Sequence, residues 1–450
     1  MSKRKDKEDL AGAIEAALRL GEFISYKRSW DFVSGLEEAK GLLDGLLAGG
    51  QADRVSDLYE VFLAGCYEKA EEIDDSGGNL GLFFQNLFCG WIKARQAAGS
   101  DPAETARDIV GWMDSDEYGF CFDIDGDVAL ALDEAGLALF RQHLEDRFDS
   151  ALAPFSGKEP MVIYDYPSAV HMTARRLKAI YVARRAVRPY IALCERTMAS
   201  PKDCENIARL HKAKGRPKDA MVWVERGLAA ATTRRWGNEE SHDLEGLKRE
   251  ILNKVGRKED ALQSAWSEFT ELPSAFGYTE LMRYVPRQDR EEWHRKAMAA
   301  AKDAEVAQFI EICVETRELD LLADRVDVAA AGDLEGISLY VTEKAATALE
   351  PRHMVPAAKL RCAMAMRVLD AGKSKYYAAA LEHLRAARDL YCKHGQELAW
   401  QGAVARVRED HSRKRGFMAS FEDIVAGGNG PAIESFQARA RSGWRKHTLG

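Results

Sequence analysis

A run of seven residues returns 41 positions downstream, and it limits the fold more than any other feature. Gly215-Arg216-Pro217-Lys218-Asp219-Ala220-Met221 recurs as Gly256-Arg257-Lys258-Glu259-Asp260-Ala261-Leu262. Each copy ends one helix on a glycine, turns, and starts a second helix at the Asp-Ala pair. Equivalent positions are expected to be buried: Ala220, Met221, Val224 and Leu228 in one copy, Ala261, Leu262, Ala265 and Phe269 in the other. The helix before the second turn is equally clean, with Leu244, Leu247, Ile251, Leu252 and Val255. A small alanine beside a large residue lets two helices approach closely. A hairpin of this size cannot cover its own apolar face, so neighbouring hairpins must stack on it. Weaker hairpins are expected near 278–301, 304–330, 334–350, 355–393 and 396–415.

Helical periodicity also governs the first third of the chain. Val55, Leu58, Tyr59, Phe62, Leu63 and Cys66 form one stripe of a 3.6-residue helix. A helix over 30–48 shows Val33, Leu36, Leu43, Leu46 and Leu47 before Gly49-Gly50 ends it. The segment 79–97, with Leu80, Phe83, Phe84, Leu87, Phe88, Trp91 and Ile92, is too apolar for a surface helix and is placed centrally. Asp101-Pro102-Ala103-Glu104 reads as a helix cap, a first-turn proline and a box-closing glutamate. The one extended candidate is Met161-Val162-Ile163-Tyr164, inside a stretch that holds Pro154, Pro160 and Pro167.

The fold expected is all-α: an N-terminal helical domain, then a tetratricopeptide-like α-solenoid of stacked antiparallel helix pairs. The domains expected are an acidic helical domain over 1–151, a proline-rich connector over 152–167, helical repeats over 168–426, and a basic, flexible tail over 427–450. Charge divides along the same line. Residues 1–150 carry 15 Lys and Arg against 31 Asp and Glu, whereas the remainder carries 49 against 41. An acidic solvated face is the plain meaning of the first value. No apolar run reaches the roughly 18 residues a spanning helix needs. The charged start, MSKRKDKEDLAG, has no apolar stretch behind it, and the eight cysteines stand singly. A cytoplasmic protein without a secretory leader is expected.

Three segments resemble a group of uncharacterised bacterial helical-repeat proteins: Gly215–Leu228, Leu369–Tyr391 and Val407–Met418, with a fainter likeness over Asp116–Phe140. Related sequence forms the C-terminal part of some bacterial SWIM-type zinc-finger proteins. The resemblance implies the fold alone. The zinc site of those relatives needs a C-x-C pair that is missing here, and the lone C-x-H is Cys392-Lys393-His394.

Each chemistry-bearing pattern in the chain has a plainer explanation. Asp123, Asp125, Asp127 and Glu134 match positions 1, 3, 5 and 12 of a calcium loop, but Val128 stands where the loop needs glycine. A short helix capped by the aspartates is expected instead. Cys194, Cys204 and His211 lack the second close pair that tetrahedral zinc needs. The ten histidines fall in no nucleophile frame, and His411 shares a face with Trp400, Val404 and Val407, as a packing histidine would. Neither Gly77-Gly78 nor Gly427-Gly428-Asn429-Gly430 has the lysine of a phosphate loop. No catalytic, metal or cofactor-binding residue is expected, and no cofactor.

Arg406, Arg408, Arg413, Lys414 and Arg415 cluster near the C-terminal end, followed by Arg439, Arg441, Trp444, Arg445 and Lys446. Of these, Arg406, Arg413, Lys414 and Arg415 are the candidate partner-binding residues. The function expected is a protein-protein interaction scaffold, with another protein as partner, no membrane and no enzyme activity. The alternative is a nucleic-acid-associated protein using the basic end.

Overall fold

The periodicity becomes helix almost throughout. A computed structural model describes residues 2–232 and 239–427, with side chains over 10–232 and 241–427. The basic segment around Trp444 lies outside the described residues. The chain divides into two compact units, Met1–Val255 and Gly256–Gly450. Among the described residues β-structure is limited to two isolated bridges, Ile24 with Ile73 and Val162 with Met198. No helix among them is long and apolar enough to cross a membrane.

The first unit holds α1 (Ser2–Ala17), α2 (Tyr26–Ala48), α3 (Ala52–Lys69), α4 (Asn79–Ala97), α5 (Pro102–Asp114) and α6 (Asp125–Ala131). It continues with α7 (Glu134–Leu152), α8 (Ser168–Ala183), α9 (Val187–Arg196), α10 (Pro201–Ala213), α11 (Pro217–Ala231) and α12 (Glu239–Lys254). Sequence neighbours pack in pairs, α3 on α4, α7 on α8, α10 on α11. A second set of contacts joins alternate helices: α2 to α4, α4 to α6, α6 to α8, and α10 to α12. α4 sits centrally, as its apolarity predicts, with Phe84, Leu87, Phe88, Trp91 and Ile92 fully buried. Each such side chain contributes about 1.5–3 kcal/mol by leaving water.

The expected boundary at 152–167 is not where the chain divides. One hydrophobic core runs from Ile14 to Leu210 across the three prolines, and α7 packs on α8 over the same stretch. Proline ends a helix, but it does not separate that helix's apolar face from its neighbours. The stretch is an internal turn, half extended at most: Val162 pairs with Met198, and Ile163–Asp165 is a 3-10 turn. Asp101 caps α5 by accepting from the Ala103 amide. Glu104 does not close the box; its carboxylate lies 3.7 Å from Arg95.

The second unit holds α13 (Lys258–Glu271), α14 (Ala275–Tyr284), α15 (Arg290–Ala301), α16 (Val306–Thr316), α17 (Leu319–Val328) and α18 (Ala331–Gly336). After these come α19 (Leu339–Leu349), α20 (Met354–Asp370), α21 (Tyr377–Lys393), α22 (Glu397–His411) and α23 (Arg415–Val425). The segments expected at 278–301, 304–330 and 355–393 each hold two successive helices, whereas 334–350 begins inside α18 and 396–415 covers α22 and only the first residue of α23.

The two copies of the repeat share backbone and burial. Gly215 and Gly256 both adopt the left-handed conformation, at φ +71° and +88°, which glycine alone reaches at little cost. At the first, the Arg216 amide donates to the His211 carbonyl at 3.0 Å and ties off the helix end. Ala220 and Ala261 are both fully buried, as are Val224 and its counterpart Ala265. Met221 and Leu228 are half-buried against the same small core. Gly227 marks a close approach, because a Cβ there would lie 2.8 Å from Cys204 Cβ and 2.9 Å from Leu244 Cδ1.

Candidate functional site

Three adjoining hollows in the first unit make one trough. The first, about 450 Å³, lies between Glu37, Lys40 and Asp44 of α2 and Asn86, Cys89 and Lys93 of α4. The second, about 290 Å³, shares Asn86, Cys89 and Lys93 with it and reaches Asp127 and Leu130 of α6. The third, about 750 Å³, shares Asp127 and Leu130 and extends over α8 to Lys202, Asp203 and Asn206 of α10. Alternate helices therefore supply the lining.

The local sequence explains which residues face it. On α4, Leu82, Gln85, Asn86, Cys89 and Lys93 form one stripe, and the buried aromatics occupy the rest of the helix. On α8, His171, Met172, Arg175, Lys178 and Val182 face the trough, whereas Val170, Ala174, Leu177 and Ile180 face the core. Large apolar side chains stand open to solvent along it: Leu82 at 62 %, Leu130 at 60 % and Tyr164 at 75 % exposure.

Most charges in the third hollow are already paired. Lys178 Nζ lies 2.8 Å from Asp203 Oδ2, and the Tyr190 hydroxyl donates to Asp203 Oδ1 at 2.9 Å. Asn206 Nδ2 donates in turn to the Tyr190 oxygen at 3.2 Å. Asp203 also closes a capping box with Ser200 at the start of α10. Burial, then the Asp203 carboxylate, pushes the Tyr190 phenol far above its ordinary value, so it stays a donor. Arg175 pairs with Asp123 and lies 4.5 Å over the Phe122 ring. Glu37, Asn86, Lys93 and Asp127 are exposed and have no ion pair or side-chain hydrogen bond among the described residues. They are the groups left to meet a ligand.

The calcium-like residues do not converge. Asp123, at φ +59°, turns to Arg175. Asp125 is buried with Oδ1 3.8 Å from Arg176 Nε, and burial pushes its carboxyl up to about 6 against the pull of Arg176. The short helix expected there exists as α6, but no aspartate caps it, for its cap is Ile124 without a side-chain bond. Among the described residues no three His, Cys, Asp or Glu side chains are grouped to hold a metal. Cys194 and Cys204 are buried, their thiols pushed up to about 12 and about 11 by burial, which makes them poor nucleophiles.

The basic candidates separate into two kinds. Arg406 forks onto both oxygens of Glu335 at 2.5 and 2.8 Å, and Arg408 onto Glu422 at 2.8 and 2.6 Å. Arg413, Lys414 and Arg415 have no side-chain partner among the described residues. His411 is buried on the face shared with Trp400, Val404 and Val407, in line with a packing role.

Sequence reasoning missed a hydrogen-bonded chain in the second unit. Tyr278 Oη lies 2.8 Å from His294 Nδ1, and His294 Nε2 lies 2.8 Å from Glu318 Oε1. Sixteen and 24 residues separate the partners, so no local motif signals them. Burial, with Glu318 adding to it, raises the Tyr278 phenol, so the chain braces three segments and does not arm a nucleophile.

Fold and surface together define an all-helical protein with a long, partly apolar trough and buried, protonated thiols and phenols. The chain belongs to the family of unknown function DUF6880, whose model matches residues 11–420. No curated protein matches it.

Proposed function

We propose that this protein is an interaction scaffold, a tetratricopeptide-like solenoid of antiparallel helix pairs whose first unit holds a segment of a partner protein. The likeness to the C-terminal part of SWIM-type proteins enters this proposal for the fold alone. One observation carries it. Alternate helices α2, α4, α6, α8 and α10 line a single trough in which exposed Leu82, Leu130 and Tyr164 alternate with unpaired Asn86, Lys93 and Asp127. Stacked hairpins bind peptides in this way, with one layer of helices forming the floor. The segment that fits has apolar anchors for Leu130 and Tyr164, an acidic residue for Lys93 and a basic one for Asp127.

The reading includes a non-catalytic role and a reducing cytoplasm, in which the eight cysteines, all free thiols, would stay unbridged. The nucleic-acid alternative draws less support, since Arg406 and Arg408 are spent on Glu335 and Glu422. An oligonucleotide shift assay at low and raised salt checks it: binding that falls steeply with salt would favour it.

The test of the scaffold is a displayed random-peptide library panned on the whole chain. Selected peptides are measured by fluorescence anisotropy on the native protein and on Leu130→Glu. The expected result is at least about a tenfold loss of affinity in the variant, from a charge placed against an apolar anchor, with Tm unchanged. Equal affinity for both proteins refutes the trough as the binding surface.

A further inference from the structure

The second unit contains a separate cavity of about 580 Å³ between α15 and α17, with Phe309 of α16 as part of its lining. Its two walls are built alike. Arg295, Met298, Ala299 and Lys302 lie at offsets of 0, 3, 4 and 7, and so do Leu321, Asp324, Arg325 and Val328. Each set is one stripe of a helix, so two helices turn matching faces to one space. Its depth is apolar, with Met298 and Phe309 buried, and its edge carries Val328 at 78 % exposure. The size suits a small organic molecule, for which pockets of about 300–1,000 Å³ are usual.

Charge selects the kind of molecule. Arg295 and Lys302 are exposed at the rim and have no ion pair among the described residues. Arg325 donates one Nη2 bond to the Ala304 carbonyl at 3.0 Å, its guanidinium lies 5.8 Å over the Phe309 ring, and it has no carboxylate partner among the described residues. Of the two facing carboxylates, Glu318 is held by His294 at 2.8 Å, and Asp324 is exposed. Both ring nitrogens of His294 are occupied, one by Tyr278 and one by Glu318. Three cations thus face one uncommitted acid over an apolar interior.

We infer that this cavity binds a small soluble amphipathic anion, with a carboxylate at Arg325 and Lys302 and an apolar body over Met298 and Phe309. The site lies outside the trough of the first unit and does not depend on the scaffold proposal.

Isothermal calorimetry on the full chain tests it with three probes of equal chain length: decanoate, decanol and decyltrimethylammonium. Decanoate should bind saturably at one site, and the neutral and cationic probes at least about tenfold more weakly, the effect of one charge-assisted hydrogen bond. Ala299→Trp, at an exposed wall position, should fill the space and abolish binding without lowering Tm. Arg325→Met should weaken decanoate about tenfold; if that variant does not fold, Lys302→Glu on the rim carries the charge test. No saturable decanoate binding, equal affinity for decanol, or binding that survives Ala299→Trp would each overturn the inference. Vesicles of anionic phospholipid should not bind the chain through this site. Cosedimentation that Ala299→Trp removes would replace the soluble ligand with a membrane lipid and overturn the inference as stated.

Discussion

Both units are helical among the described residues, yet they deploy their polar groups differently. In the first, the cations of the trough are mostly paired, Lys178 with Asp203 and Arg175 with Asp123. What remains open is apolar surface and a few single charges. In the second, the cavity keeps Arg295 and Lys302 unpaired around a buried apolar floor. The contrast teaches that a buried helical stripe specifies packing only, while residues on the faces away from the core are free to differ.

The repeat copies sharpen the same point. Gly227 is wedged against Cys204 and Leu244, whereas the residue 41 positions on is the half-exposed Glu268. The largest expected effect follows from that difference. Gly227→Val should cost about 3 kcal/mol by overpacking, and Glu268→Val under about 1 kcal/mol. Urea unfolding midpoints measure both; equal losses would break the distinction between the copies.

Next in size is a titration confined to the first unit. The Asp125 carboxyl sits at about 6 in the folded protein against an ordinary 3.8, so the folded state holds that proton more tightly. Its contribution is complete below 3.8 and is lost as pH rises through about 6. Asp125→Asn should therefore stabilise the protein at pH 7.5 by about 1–2 kcal/mol and flatten the slope of Tm between pH 5 and 7. His411, in the second unit, runs the other way. Burial lowers it from its ordinary 6.5, so its contribution is present above that value and is lost as pH falls. His411→Gln should flatten the acid side of the profile. A shared sign for the two variants would contradict the assignment.

Smaller effects probe single features. His294→Phe should cost about 1–2 kcal/mol by stranding Tyr278 and Glu318, and native-state hydrogen exchange should report the loss in α14 and α15. Gly215→Ala and Gly256→Ala should each cost about 1 kcal/mol or somewhat more, since both sit at positive φ. A clear difference between them would mean that the two turns are not equivalent.

Much of the fold was legible because helix period, capping glycines and the repeat are local signals. The stripe of Val55, Leu58, Phe62 and Cys66 is fully or almost fully buried, and α4 spans the 79–97 expected for it. The three prolines misled, because they report where helices stop and say nothing of where a core stops. The trough was hidden for a related reason. Val128, Leu130 and Leu132 alternate along the sequence, yet Val128 and Leu132 are buried and Leu130 is open. Only the phase of each helix against its neighbours reveals the exposed member. The partners in Tyr278–His294–Glu318 and Lys178–Asp203 are 16 to 25 residues apart, so they meet only once the hairpins stack. Likewise, the sequence displayed a cluster of basic residues at 406–415 but not the acids that neutralise two of them.

The trough as a protein-binding surface is tested most directly by photocrosslinking. A peptide selected on the whole chain, carrying a benzophenone at its apolar anchor, is irradiated with the native protein, and the attached residues are read by mass spectrometry. Crosslinks on Leu82, Leu130, Met172 or Val182 are the predicted result. Crosslinks confined to the second unit, or to residues 406–415, would contradict the account.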